Sequence, residues 1–122
     1  MKDSPKTIKI DNIEYVPKDE YTPAKKLNGL DYVIIRTYSA GVFAGYLKAR
    51  DGKEVELLNA RRIWYWDGAA SLSQLAMEGT NKPSNCKFAM PVNKIELTEA
   101  IEIIECSEEA RLNIESVPNW VN

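Results

Sequence analysis

The chain of 122 residues contains no histidine. Its commonest general base and its commonest metal ligand are therefore both missing. Two cysteines, Cys86 and Cys106, are too few for a zinc set without histidine. With no CxxC pair they read as free thiols of a reducing compartment. No clustered D-x-D pattern suggests a carboxylate-held magnesium ion, so no cofactor or metal is expected. No run approaches the ~18 continuous apolar residues of a membrane span. The opening M-K-D-S-P-K carries charge with no apolar stretch after it, so no signal peptide is expected. The net charge of −2 argues against a broad nucleic-acid-binding face. It does not oppose a small anionic ligand, which needs only a few local cations.

Hydrophobic residues at 44% and charged residues at 28% are globular values, and the length suits one domain with a modest core. Residues 1–30 read as an N-terminal arm. Within it, residues 7–10 and 13–16 flank Asp11-Asn12, a two-residue connection suited to a hairpin. Such a hairpin is marginal alone and must dock on the body or on a second subunit. Residues 31–122 read as a single α+β domain. Stretches 31–38, 42–50, 53–58 and 60–66 predict four strands of an antiparallel β-meander, with turns at 39–41 and at Asp51-Gly52. Two short helices follow in the C-terminal half. The first covers 71–77, with Leu72, Leu75 and Ala76 on one stripe and Gly79 as its stop. The second is capped by Ser107, carries Ala110, Ile114 and Val117 on one face, and ends before Pro118. Short strands are expected at 86–90 and 95–97. The A-I-E-I-I-E run at 100–105 fits a strand or a helical turn, and its alternation favours the strand.

The most informative stretch is A-R-R-I-W-Y-W-D-G-A-A-S, residues 60–71. In a strand, Arg62, Trp64 and Trp66 share one side and Arg61, Ile63 and Tyr65 the other. The plain reading puts the tryptophans in the core or an interface. The adjacent arginines must point to opposite faces, so one approaches the buried side, where it is expected to need an anionic partner. The small residues after Asp67 lead into a helix N-terminus, a place that favours phosphate. The pattern is neither GxGxxG nor a P-loop.

Other candidates are weaker. Arg36 and Ser39 stand at a tight turn with Gly41. Phe88 is a candidate stacking ring, with Asn85 and Asn93 as amide partners. Arg111 and Asn113 on the last helix could face a ligand, although Arg111 also follows Glu108 at the i, i+3 spacing of a surface ion pair. No catalytic set emerges: Ser71 and Ser73 lack a base, and Glu96, Glu99, Glu102 and Glu105 read as a solvated face. A binding protein is expected, not an enzyme.

Three segments, Y-V-I-I-R-T-Y-S-A-G-V-F-A-G-Y-L, A-R-R-I-W-Y-W-D-G-A-A-S-L-S-Q-L-A-M-E-G and I-E-L-T-E-A-I-E-I-I-E-C, resemble a family of small phage and prophage proteins, the anti-Thoeris sponges. The resemblance covers residues 31–118. It implies a protein that binds, without cleaving, the cyclic ADP-ribose isomers made from NAD by bacterial TIR enzymes, in the cytoplasm of the infected host. It further implies pockets at a homodimer interface, larger assemblies built of dimers, and a capacity for cyclic oligonucleotides. On this resemblance Arg61, Arg62 and Arg111 would hold phosphates and Phe88 the adenine, with Arg36 and Ser39 secondary. The alternative from the residues alone is a structural or DNA-associated phage protein whose Arg/Trp strand is an oligomer interface.

Overall fold

The computed structural model describes the backbone of residues 8–10 and 13–15, and residues 22–121 in full. The remaining parts of the expected arm lie outside the described residues. Strands β1 (Ile8–Ile10) and β2 (Ile13–Tyr15) pair antiparallel with Ile10 opposite Ile13, the register a two-residue loop gives. The main body holds β3 (Tyr32–Thr37), β4 (Val42–Asp51), β5 (Glu54–Tyr65), α1 (Leu72–Glu78), β6 (Lys87–Phe88), β7 (Val92–Leu97), β8 (Ala100–Glu105) and α2 (Glu108–Ser116). The body is the α+β arrangement expected: an antiparallel six-stranded sheet with two late helices.

The expected third and fourth strands are one. Residues 53–58 and 60–66 merge into β5, because Asn59 takes a left-handed backbone (φ 48°) inside the strand instead of ending it. On β4 the step from Ala44 to Tyr46 faces the step from Arg61 to Leu58, so β5 carries an extra residue and bends. Gly45 lies at this bend, and a Cβ there would sit 2.9 Å from the Ala60 Cβ.

The sheet also curls. Its strands run β7-β5-β4-β3-β8, yet β7 and β8 are joined by only two residues. Four gaps of a flat sheet would span about 19 Å, whereas the stretch from Leu97 to Ala100 reaches about 10 Å. The ends must therefore approach each other. The Ala100 N–H donates to the Lys53 carbonyl at 3.0 Å across this junction. Period-two alternation then feeds two cores. Val33, Ile35, Phe43, Leu57, Ala60 and Leu97 form one cluster. Tyr32, Ile34, Ala44, Ile63 and Phe88 form the other, with Leu75 and Ala76 of α1 and Ala110 and Ile114 of α2. Burial on both faces accounts for the unbroken apolar run at the start of β3.

The helices end where their capping residues lie. Ser71 caps α1 and Ser107 caps α2. Ser107 also donates its hydroxyl to the Met77 carbonyl at 2.6 Å, tying the two helices together. The Asn113 amide makes a double bond pattern with Thr80, accepting from its N–H and donating to its carbonyl, each at 2.8 Å. Gly79 leaves room for this contact, since a Cβ there would fall 2.5 Å from the Asn113 amide. Both cysteines are free and buried, and burial pushes the Cys106 thiol up to about 12. Among the described residues no helix is long and apolar enough to cross a membrane.

Part of the arm is fastened to α2. The Glu108 N–H donates to the Thr22 carbonyl at 2.8 Å, the Ala24 N–H to the Cys106 carbonyl at 3.2 Å, and the Lys25 N–H to Glu108 Oε1 at 2.6 Å. The Arg111 guanidinium, and after it the Lys25 N–H, hold the Glu108 carboxyl down to about 2. A carboxyl whose pKa falls on folding stabilises the fold above its unfolded pKa and loses that contribution as pH drops through the folded value. The thermal midpoint should therefore decline between about pH 5 and pH 2, and Glu108→Gln should flatten part of that decline. A Gln variant with an unchanged acid profile in differential scanning fluorimetry would show that the clamp adds nothing.

Candidate functional site

The seven residues singled out from the sequence do not converge. Arg36 and Ser39 lie at the β3–β4 turn, and both are exposed and spent on carboxylates. Arg36 Nε donates to Glu102 Oε1 at 2.9 Å, and the Ser39 hydroxyl donates to Glu99. Asn93 is exposed on β7, across from Asn59 between the Leu58–Lys94 and Ala60–Val92 pairs. Arg111 on α2 donates to Glu108 Oε2 and Glu115 Oε1, both at 2.7 Å, and to the Tyr46 hydroxyl at 3.2 Å. These partners raise its pKa and leave it engaged in the ion pair that its spacing from Glu108 suggested. Phe88 is fully buried between β5 and α2, so neither of its faces is open to a base.

The two adjacent arginines do point to opposite faces, and their fates differ. Arg61 is 2% exposed. Nε donates to the Ala89 carbonyl (2.9 Å), one terminal nitrogen to the Ile114 (3.0 Å) and Val117 (2.9 Å) carbonyls, and the other to the Phe88 carbonyl (3.2 Å) and Asn119 Oδ1 (3.1 Å). All five N–H groups are thereby used. The anionic partner expected for a buried arginine is replaced by five neutral oxygens. Two of these carbonyls lie at the C-terminal end of α2, the negative end of the helix dipole, and α2 has no basic residue in its own last turn. Burial lowers the Arg61 pKa, opposed by Tyr32 and Glu115.

Arg62 lies over the Phe43 ring at 4.7 Å and has no carboxylate partner among the described residues. Two residues on, Trp64 is not core: it is 63% exposed. It sits where the step from Ile63 to Tyr65 faces the single step from Phe88 to Lys87, a bulge that re-aims the side chain. Its indole stacks on Trp120, with centroids 6.2 Å apart and planes 13° from parallel. Trp120, itself 45% exposed, is held by its N–H on the Phe88 carbonyl at 2.8 Å. The Lys87 ammonium stands 5.4 Å from the Trp120 ring centre, with no carboxylate partner among the described residues. Trp66 is half-buried against the helix-side core, with its indole N–H on the Ala69 carbonyl at 3.2 Å.

The strand-to-helix entry after Asp67 is closed by its own side chains. Ser71 Oγ accepts from the Gln74 N–H at 3.1 Å, and Gln74 Oε1 accepts from the Ala70 N–H at 2.7 Å. This resembles a capping box, and it occupies two of the N–H groups at the helix entry that a phosphate could use. The surface with the chemistry to hold a ring-bearing anion is therefore Trp64, Trp120, Lys87 and Arg62. Trp120 had no sequence signal, because the partner that makes it useful lies 56 positions away and meets it only through β6.

Replacing Arg61 by Met should cost roughly 3–5 kcal/mol of stability, because five oxygens, three of them in buried hydrogen bonds, lose their donors together. Arg62→Ala removes one cation–π contact and should cost under about 1 kcal/mol. Denaturant midpoints of the two variants test this contrast, and equal midpoints would refute it.

No curated protein and no solved structure matches the chain. One family model does, over residues 30–114, which takes in the curled sheet, α1 and most of α2. The chain therefore belongs to that family, described as a domain of unknown function (DUF6948).

Proposed function

We propose that the protein is a non-catalytic binding protein that captures a small phosphorylated, ring-bearing ligand on the Trp64–Trp120 face. The observation that carries the reading is a stacked, exposed tryptophan pair with the Lys87 ammonium over Trp120, while Arg62, two residues before Trp64 and over Phe43, is a second cation; neither has a carboxylate partner among the described residues. An indole offers a face to adenine, and each ammonium or guanidinium offers charge-assisted donors to phosphate. The resemblance of the β3–β4 and β5–α1 segments to anti-Thoeris sponges supplies the ligand's name. The ligand is a cyclic ADP-ribose isomer produced by a TIR enzyme, withheld from its effector in the cytoplasm of an infected bacterium so that Thoeris immunity fails.

Sequestration needs a Kd on the order of nM, about −12 kcal/mol. An open face is shallow for that affinity. Exposed Met90, Val92 and Val121, close in sequence to the tryptophan–lysine face, are suited to a second copy closing over it. Enclosure in a homodimer would exclude water and strengthen each phosphate contact. The same exposed side chains favour a second reading, in which this face serves only to assemble copies of a structural or DNA-associated phage protein.

Incubation with cyclic ADP-ribose isomers should deplete them from solution, and heating the protein should return them intact. Trp64→Ala and Arg62→Ala should each abolish capture while the fold persists. Intact ligand left free at every ratio, with a dimer that Trp64→Ala dissociates, would establish the assembly reading instead. Recovery of cleaved products would mean an enzyme.

A further inference from the structure

A second polar recess lies on the other side of Arg61, against α2. Tyr32, Asn59, Arg61, Pro91 and Glu115 line a cleft of about 260 Å³. Tyr32 is 1% exposed, its ring packed edge-on against Tyr46 with centroids 4.9 Å apart. Its hydroxyl has no hydrogen-bond partner among the described residues. Among the described residues, no side-chain oxygen or nitrogen that is fully shut off from the surface lacks a partner. The Tyr32 oxygen is therefore the part of the residue that opens on the cleft. Phenylalanine would fill the same core position without burying a hydroxyl unsatisfied. Burial, and after it the Glu115 carboxylate, raise the phenol's pKa, so it stays a neutral donor.

The rest of the lining sets the ligand's charge. Glu115 is oriented from outside: Oε1 accepts from Arg111 at 2.7 Å and Oε2 from the Tyr46 hydroxyl at 3.1 Å. Each oxygen keeps a further lone pair for a ligand donor. An anion would meet this carboxylate and would find no free donor on Arg61, whose five N–H groups are all committed to protein oxygens. A cation would meet Arg61 together with Arg111, whose charges already offset Glu115. A neutral molecule rich in hydroxyls meets neither obstacle. It can donate to Glu115, exchange hydrogen bonds with Tyr32, and use the exposed Asn59 amide, which makes no hydrogen bond to the described residues. Asn59 stands there because the bulge of β5 places it at φ 48°. The volume is below that of drug-sized pockets and suits one ring.

We propose that this cleft is a binding site for a single neutral sugar ring, with Tyr32, Asn59 and Glu115 as its polar contacts. The site is independent of the tryptophan face. Titration of the full chain with D-ribose and with methyl glucoside, followed by amide NMR, should give saturable shifts confined to residues around 32, 59, 91 and 115. Tyr32→Phe gives up no protein hydrogen bond, and Asn59→Gly keeps the left-handed backbone. Both should remain folded and weaken sugar binding at least about tenfold. Ribose 5-phosphate and glucosamine should bind less well than the neutral sugars. The absence of saturable shifts with either neutral sugar, undiminished binding by both variants, or tighter binding of a charged sugar would overturn the proposal.

Discussion

The structure depends on how one buried cation is satisfied. Arg61 projects from the middle of β5 into the space between the sheet, α2 and the segment after β6. A guanidinium there would be costly if its donors were left unpaired. Five oxygens from residues 88, 89, 114, 117 and 119 meet its five N–H groups. Those oxygens belong to four separate segments: a two-residue strand, a loop, a helix end and the chain beyond it. One side chain thus ties the end of α2 to the final segment that crosses β6. The bridge from Phe88 to Asn119, and the hydrogen bond that holds Trp120, follow from that placement.

The neighbouring residues inherit their roles from this commitment. With Arg61 turned inward, Arg62 is turned outward, over Phe43 and without a carboxylate partner among the described residues. The bulge at Trp64 then aims an indole at the surface, where the Arg61-anchored tail delivers Trp120 to stack on it. On the other side of the same guanidinium, its exhausted donors leave a cleft whose open polar groups are a phenol, an amide and a carboxylate. The two surfaces proposed to bind ligands are opposite consequences of one internal bonding pattern.

Much of the architecture was legible along the chain because it depends on local chemistry. Ser71 and Gly79 bound α1, and Ser107 and the residue before Pro118 bound α2, since caps and stops act within a few residues. The alternation at 100–105 resolved as a strand because β3 offers it an edge. The division of β5 into two strands was misleading, because asparagine tolerates the left-handed region that a bulge needs as readily as the one a turn needs. The site was less legible. Phe88 looks like a stacking ring and Arg111 like a phosphate ligand only until their surroundings are known. One is sealed under α2, and the other is held by Glu108 and Glu115.

By itself the sequence determined most of the elements, though not the continuity of β5, together with the inward and outward alternation of the strands and the opposed directions of Arg61 and Arg62, all set by backbone geometry over two to four residues. It also withheld histidine and so removed the usual base. Only the tertiary structure decided which arginine was consumed, that its partners were carbonyls and not carboxylates, and that Trp64 should meet Trp120 in the open. The reason is physical: a donor's fate depends on which acceptors reach within about 3 Å of it. Those acceptors come from segments 27 to 58 positions away, whose arrival is set by the curl of the sheet and the packing of α2.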